Sequence, residues 1–425
     1  MQKILLLLLP LFYFNSLFAK DEIKSWQGIH ETPLSRLEQQ FADPPVEFAN
    51  HVIWGWEGKM DKKTICNDLD SIKKKGFRAI IFEAGYKLPF KYLSEEWFKA
   101  IRTGVLEAKK RGMKVWIIDE GKYPSGFAGG KFSQERPDLR MQALVIGDTI
   151  QIKRGEVMTN HKIAPEIISA VAVSTSGAPN RTVAINNGEI SFNAGLDDWK
   201  ILLVKSDFRT AVTRAVNNPN GGKDATNSLC DYLNPVAVQQ FIDWTHEQYK
   251  KYLGKELGTT VLGFRGDEPD YAHLPWTPSI VQTFKDTKGY DPTPYLASFF
   301  TTSPTIQEQR VKADYWDVWS SLFATHFFKL QADWCAANGV AHITHLNKEH
   351  EMPACVKAEG DYFRNLSKVQ IPGVDAIWNQ IWPGTLNDFP KLASSVAHVY
   401  GKPRAFSESF AAYHISLPFP KPNLL

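Results

Sequence analysis

The segment Thr260-Val261-Leu262-Gly263-Phe264-Arg265-Gly266-Asp267-Glu268-Pro269-Asp270-Tyr271 governs how the rest of the chain is read. Residues 260–264 form an apolar run of the length expected for a strand buried on both faces. Two adjacent carboxylates follow, and Pro269 then removes a backbone donor, so the ladder cannot continue. A buried strand that ends in acids and stops is how a catalytic side chain is presented at the open end of an α/β sheet or barrel. An acidic turn kept only for solubility has the same local pattern, so the reading depends on the surrounding chain.

The same unit recurs on both sides. Upstream, His51-Val52-Ile53-Trp54-Gly55-Trp56 reads as a strand ending at Glu57, and a helix then closes on Lys73-Lys74-Lys75-Gly76. The strand Phe77 to Phe82 ends at Glu83. Ser94 caps a helix with Glu95 and Glu96 in its first turn, which closes on Lys109-Lys110-Arg111-Gly112. Lys114 to Ile118 then ends at Asp119-Glu120. Downstream, Asn234-Pro235 opens the helix that precedes the central strand. A helix from about Asp314 to Asn338 ends at Gly339 and leads into Val340 to Thr344. Val374 to Trp378 ends at Asn379-Gln380, and Asn387 opens a helix ending at Gly401. Pro403 to Phe406 then delivers Ser407-Glu408-Ser409. Glycine after a polar helix end takes the left-handed conformation that terminates the helix. Strands alternating with helices predict a parallel α/β architecture, and polar groups at successive strand ends predict a (β/α)8-type barrel with its site at the C-terminal face. Seven strands are legible and no eighth follows Glu408, so the expected barrel is incomplete. A doubly wound sheet is disfavoured because no glycine-rich loop follows the first strand.

One stretch breaks the pattern. From about Met141 to Asp207, apolar residues alternate in steps of two and turn formers such as Asn186-Asn187-Gly188 intervene. This predicts a small antiparallel β subdomain inserted after the third strand. The expected organisation is a leader over 1–19, a lead-in over 20–47, barrel over 48–140, insertion and return loop over 141–225, and barrel again over 226–425.

At 425 residues, with 43% hydrophobic and 22% charged residues, the composition is that of a globular protein. The formal charge of +3 offers no electrostatic case for nucleic acid. The 13 Trp and 14 Tyr exceed the ordinary needs of a core, and aromatic faces stack well on sugar rings. Lys3, the apolar run Ile4 to Phe14 and the small residue Ala19 form a secretory signal pattern, too short to span a bilayer. The chain is therefore expected to be exported, periplasmic or extracellular, with no stable membrane insertion. Cys66, Cys230, Cys335 and Cys355 are far apart and contain no CxxC pair, which argues against zinc.

Hydrolysing a glycosidic bond needs one carboxylic acid to protonate the leaving oxygen and a second carboxylate as nucleophile or water base. Glu268 and Glu408, after the fourth and seventh strands, are placed to face each other across a barrel mouth; Glu349, after the fifth, is a third candidate. Asp267 beside Glu268 would raise its pKa, as suits a proton donor. The structural alternative pairs Arg265 with Glu268 and Arg404 with Glu408. Asp119 and Glu120 lie in a polar loop suited to sugar hydroxyls or a hard cation. Asp267, Tyr271, His345 and Asn379 are candidate sugar contacts, and Trp54, Trp56, Trp378 and Trp382 candidate stacking platforms.

Asp119-Glu120 with Tyr123-Pro124-Ser125-Gly126, Gly266-Asp267-Glu268-Pro269, Gly289-Tyr290-Asp291, Tyr315-Trp316 with Phe323-Ala324 and Phe327-Phe328, Trp334-Cys335 and Ile371-Pro372-Gly373-Val374-Asp375 occur in order. Together they resemble glycoside hydrolase family 106, the α-L-rhamnosidases of plant-polysaccharide-degrading bacteria, from about Phe48 to Tyr413. The resemblance implies a (β/α)8 barrel, inverting hydrolysis with Glu268 as general acid and Glu408 as base, and a calcium ion that helps hold rhamnose hydroxyls. The expected function is an exported hydrolase of terminal α-L-rhamnosyl linkages in plant or algal polysaccharides. A retaining glycosidase with Glu408 as nucleophile, and a truncated, non-catalytic carbohydrate-binding protein, are the alternatives.

Overall fold

The computed structural model describes residues 33–46, 50–121, 123–211, 213–214, 223–224, 226–271, 274–377 and 387–409. The leader at 1–19 lies outside them, as do Trp378, Asn379 and Trp382.

Seven strands form one parallel sheet whose spatial order is the order of the chain. They are β1 (His51–Trp56), β2 (Ala79–Ala84), β3 (Lys114–Ile118), β4 (Val261–Asp267), β5 (Ala341–His345), β6 (Ile371–Ala376) and β7 (Phe406–Ser409). A doubly wound sheet would reverse its order part-way; this one never does. The sheet is curled into a half-barrel. Ile81, Trp116, Ile118, Leu262, Ala341, Ile343 and Ile371 meet in one inner cluster, with Phe406 packed against it. In a flat sheet β2 and β7 would stand about 24 Å apart. Among the described residues no strand joins β7 to β1, and over these residues the sheet is a seven-stranded half-barrel.

Gly263 shows how tightly the central strand is packed. A Cβ there would sit 1.9 Å from the Ala341 carbonyl oxygen and 2.7 Å from the Trp116 ring. A bulge between Val261 and Gly263 in the pairing with β3 accommodates this approach.

Helices cover the outer face of the sheet. The Asp61 side chain accepts from Thr64 N–H at the start of α1 (Lys62–Lys74), and Ser94 accepts from Trp97 N–H at the start of α2 (Glu95–Lys110). Beneath them lies a core that includes Trp56, Phe82, Trp97, Ile101, Val105, Tyr249 and Phe264. Two of the expected stacking platforms belong to this layer. Trp56 is completely buried, with ring centroids 5.0 Å from Phe82 and 5.7 Å from Trp97. Trp54 stands 5.6 Å from Phe82. Alternation along a strand sends residues 52, 54 and 56 outward and 51, 53 and 55 inward, so neither tryptophan faces the mouth.

The insertion is antiparallel. Its larger sheet runs in the order Pro275–Trp276, Gln142–Ile152, Trp199–Phe208, Ile167–Ser174, Arg181–Val183. The two-residue turn between Ile185–Asn186 and Glu189–Asn193 has positive φ at Asn187 (51°) and Gly188 (76°), as a type I′ hairpin requires. Its edge strand Pro275–Trp276 comes from the segment after β4, which ties the insertion to the loop that carries Glu268.

Trp56→Ala is expected to lower the unfolding free energy by about 3–5 kcal/mol, the usual range for emptying a buried aromatic site. Denaturant titration measures this directly; unchanged stability would assign Trp56 a role outside the core.

Candidate active site

Parallel register brings the strand-end side chains together. Asp267 pairs across from His345, and Asp375 from Glu408. Arg265, Asp267, His345, Asp375 and Glu408 alternate onto the inner face. His345 Nε2 lies 3.5 Å from Asp267 Oδ1, 3.9 Å from Glu268 Oε1 and 3.8 Å from Glu408 Oε2. On the other side of the ring, Arg265 Nη2 is 3.4 Å from His345 Nδ1. With Nδ1 turned toward a guanidinium donor, the ring proton is assigned to Nε2, facing the carboxylates.

Arg265 is the cation of the cluster. It is 2% exposed and its Nη2 donates to Glu408 Oε2, with Asp267 Oδ1 at 3.6 Å. The carboxylates of Glu83 and Asp375 also act on its charge. The counter-ions expected from local sequence are thus rearranged: Arg265 serves Glu408, and Glu268 lies beside the imidazole with a hydrogen bond to Asp375. Arg404 acts instead on His51, at the start of β1.

This separates the two glutamates. Burial pushes Glu268 up to about 10, helped by the negative charges of Asp267, Asp375, Glu349 and Glu408. It therefore keeps a proton at neutral pH. Glu408 is ion-paired. Both side chains remain within reach of a ligand, at 19% and 16% exposure. Asp375 is raised to about 7, first by burial and then by Glu408 and Asp267, against a hydrogen bond with Glu268. A carboxyl group that holds a proton beside a carboxylate held by a guanidinium offers an acid and a base to the same ligand. Surface cavities of about 440 Å³ occur elsewhere, at Leu88 to Tyr92 with Gly129 and Gln134, and around Trp316, Met352 and Phe363. Neither contains this cluster, and it is the chemistry that marks the site.

Other expected contacts are taken up by the fold itself. Glu120 is buried and accepts from the N–H groups of Gly121, Ala128 and Gly129, so it folds its own loop instead of meeting a sugar. Asp119 is completely buried and accepts from Ser125 Oγ–H at 2.7 Å. Tyr271 packs in the core, its ring edge-on to Tyr232 and Trp319. Glu349 is buried with Oε1 accepting from Leu346 N–H at 3.0 Å and Asp375 N–H at 3.3 Å, a brace between β5 and β6. Arg265, Glu83 and Asp375 were not among the expected site residues. The signal for the last two was present: each is an acid at the end of an apolar strand, as Asp267 is.

The profile of the alpha-L-rhamnosidase family matches residues 156–423. The chain belongs to this family. The rhamnosidase of Novosphingobium sp. PP1Y has the same fold, with a TM-score of 0.63 and 16% identity, over 88% of this chain and 53% of that one. A Formosa agariphila protein provisionally named a beta-glucuronidase is 24% identical over 435 residues, which is 89% of this chain and 35% of that protein. This family member therefore spans about half of the one and about a third of the other.

Burial also raises Asp119 and Glu120 to about 8 and Asp231 to about 7, from ordinary values of 3.8, 4.5 and 3.8. Above those ordinary values the unfolded chain has released protons that the folded one retains, so rising pH favours unfolding. Buried His246 and His342 are lowered by burial and act in the opposite sense, but only below their ordinary value of 6.5. The thermal midpoint is expected to fall as pH rises from 6.5 to about 8. A rising midpoint over that interval, read by differential scanning calorimetry, would contradict the assignment of these acids as protonated.

Proposed function

We propose that this chain is an exported glycoside hydrolase that removes terminal α-L-rhamnosyl units from plant or algal polysaccharides with inversion. The observation that carries the reading is the convergence of a protonated Glu268 and an ion-paired Glu408 on the same imidazole nitrogen. Glu268 donates its proton to the glycosidic oxygen as the bond to the sugar breaks. Glu408 takes a proton from the water that attacks the opposite face. Arg265 fixes the Glu408 carboxylate, and His345 Nε2–H offers a donor between the acids. Family membership supports the sugar class. Among the described residues no helix is long and apolar enough to cross a membrane, and the leader pattern of the first residues supports export.

The calcium ion implied by the resemblance fits part of this donor set. Glu349 Oε2 and Asp375 Oδ1 are buried carboxylate oxygens without hydrogen-bond partners, hard donors of the type calcium takes. His345 Nε2 carries a proton and faces acids, so it is not a ligand in this state. Glu349 and Asp375 would hold the ion, which when bound supplies positive charge for sugar hydroxyls. Millimolar calcium is expected to raise the thermal midpoint, and chelation to lower it again. Glu349→Gln with Asp375→Asn should abolish the shift; a shift that survives both changes would place the ion elsewhere.

Turnover of an aryl α-L-rhamnoside tests the function. Glu268→Gln and Glu408→Gln are each expected to lower kcat by roughly 10²–10⁴-fold for a substrate with a poor leaving group. The first product seen by proton NMR should be the β anomer. An α anomer would establish retention, with Glu408 as nucleophile. Cleavage of a β-glucuronide but no rhamnoside would overturn the substrate, and sugar binding without turnover would make the chain a binding protein.

A further inference from the structure

The direction in which Glu268 points is set from outside its own strand. Ser125 and Asp119 are both completely buried. Each backbone group of Asp267 closes on Ser125: Asp267 N–H donates to Ser125 Oγ at 2.7 Å, and Ser125 N–H donates to the Asp267 carbonyl at 2.8 Å. The hydroxyl proton goes to Asp119 Oδ1 at 2.7 Å, which leaves an oxygen lone pair for Asp267. Asp119 N–H donates in turn to the Arg265 carbonyl at 2.9 Å. The loop after β3 thus carries the ladder of β4 two residues past its last strand pair, Ile118 with Arg265. The Tyr232 hydroxyl, donating to the Ser125 carbonyl, pins the loop from behind.

The residue after this clamp is Glu268, with φ at +42°. Side chains with a Cβ avoid that region, and they stay there only where the surroundings over-determine the backbone. Pro269 follows and fixes the chain on the far side. We infer that Ser125, oriented by Asp119, is a positioning residue for the general acid: it holds Asp267 so that the strained turn aims the Glu268 carboxyl at the scissile oxygen. The inference rests on the reading of Glu268 as that acid. It also explains why two polar side chains with no access to substrate lie buried at the mouth.

A defect in aiming the acid has a signature that general damage lacks. A 2,4-dinitrophenyl group leaves without protonation, whereas a 4-methoxyphenyl group needs the proton. With the full chain, Ser125→Ala should lower kcat on the 4-methoxyphenyl α-L-rhamnoside about 10- to 100-fold, with KM nearly unchanged. The 2,4-dinitrophenyl substrate should lose little. Asp119→Ala should behave like Ser125→Ala, and Asp119→Asn, which keeps an acceptor for the hydroxyl, should retain most of the rate. Equal losses on both substrates overturn the inference. If Ser125→Ala does not fold, Ser125→Cys, close in shape with a poorer acceptor, is read in the same way.

A crystal structure of the variant separates this inference from the assignment of activity. Should the parent protein cleave no rhamnoside, the rhamnosidase reading fails, but the position of Glu268 remains measurable. In the parent its Oε1 is 3.9 Å from His345 Nε2. Displacement of that carboxyl in the Ser125 variant supports the clamp, and an unmoved carboxyl overturns it.

Discussion

The mouth of this half-barrel depends on one buried guanidinium. Arg265 stands on the central strand, almost wholly removed from solvent, with Glu408 and Asp267 in direct reach and Glu83 and Asp375 around them. Burying a charge without partners is prohibitive, and breaking a buried pair by removing one member typically costs about 3–5 kcal/mol. The carboxylates therefore need Arg265 as much as Arg265 needs them. Parallel strands in chain order are what deliver these groups to one point, since neighbouring strand ends lie side by side.

The same cation divides labour between the glutamates. It pairs with one and leaves the other to burial and to like charges, so two chemically identical side chains near one imidazole have different surroundings. No special residue is needed for this division. Which face each strand turns inward, and a left-handed turn at Glu268, suffice to keep Glu268 out of reach of the nearest cation in sequence.

Much of the scaffold was legible because its rules are local. Glycine after a polar helix end and an apolar run ending in an acid or amide marked most of the parallel strands, although the sixth begins at Ile371 and not at Val374, and Asn187-Gly188 marked a hairpin. Less legible was which face each strand presents. Strands apolar on both sides carry no alternation, so Trp54 and Trp56, at a strand end, resembled sugar platforms and instead fill the layer under the helices. Local proximity misled in the same way at Arg265, which is three residues from Glu268 but bonds to a residue 143 positions away. Asp119 and Glu120 are acids of the expected loop, yet they satisfy a hydroxyl and backbone N–H groups there; sequence cannot distinguish a carboxylate that folds a loop from one that meets a ligand. The segment after β4 held a further surprise, since Pro275–Trp276 adds the edge strand of the inserted sheet and so couples that subdomain to the turn bearing Glu268.

The account stands on Glu268 holding a proton at neutral pH beside a Glu408 that is paired with Arg265. Infrared difference spectroscopy at pH 7, comparing the parent with Glu268→Gln and with Glu408→Gln, reads this from the protonated-carboxyl stretch. Loss of intensity with the first substitution and none with the second is the predicted result; loss with the second instead would contradict the division of roles on which the site is built.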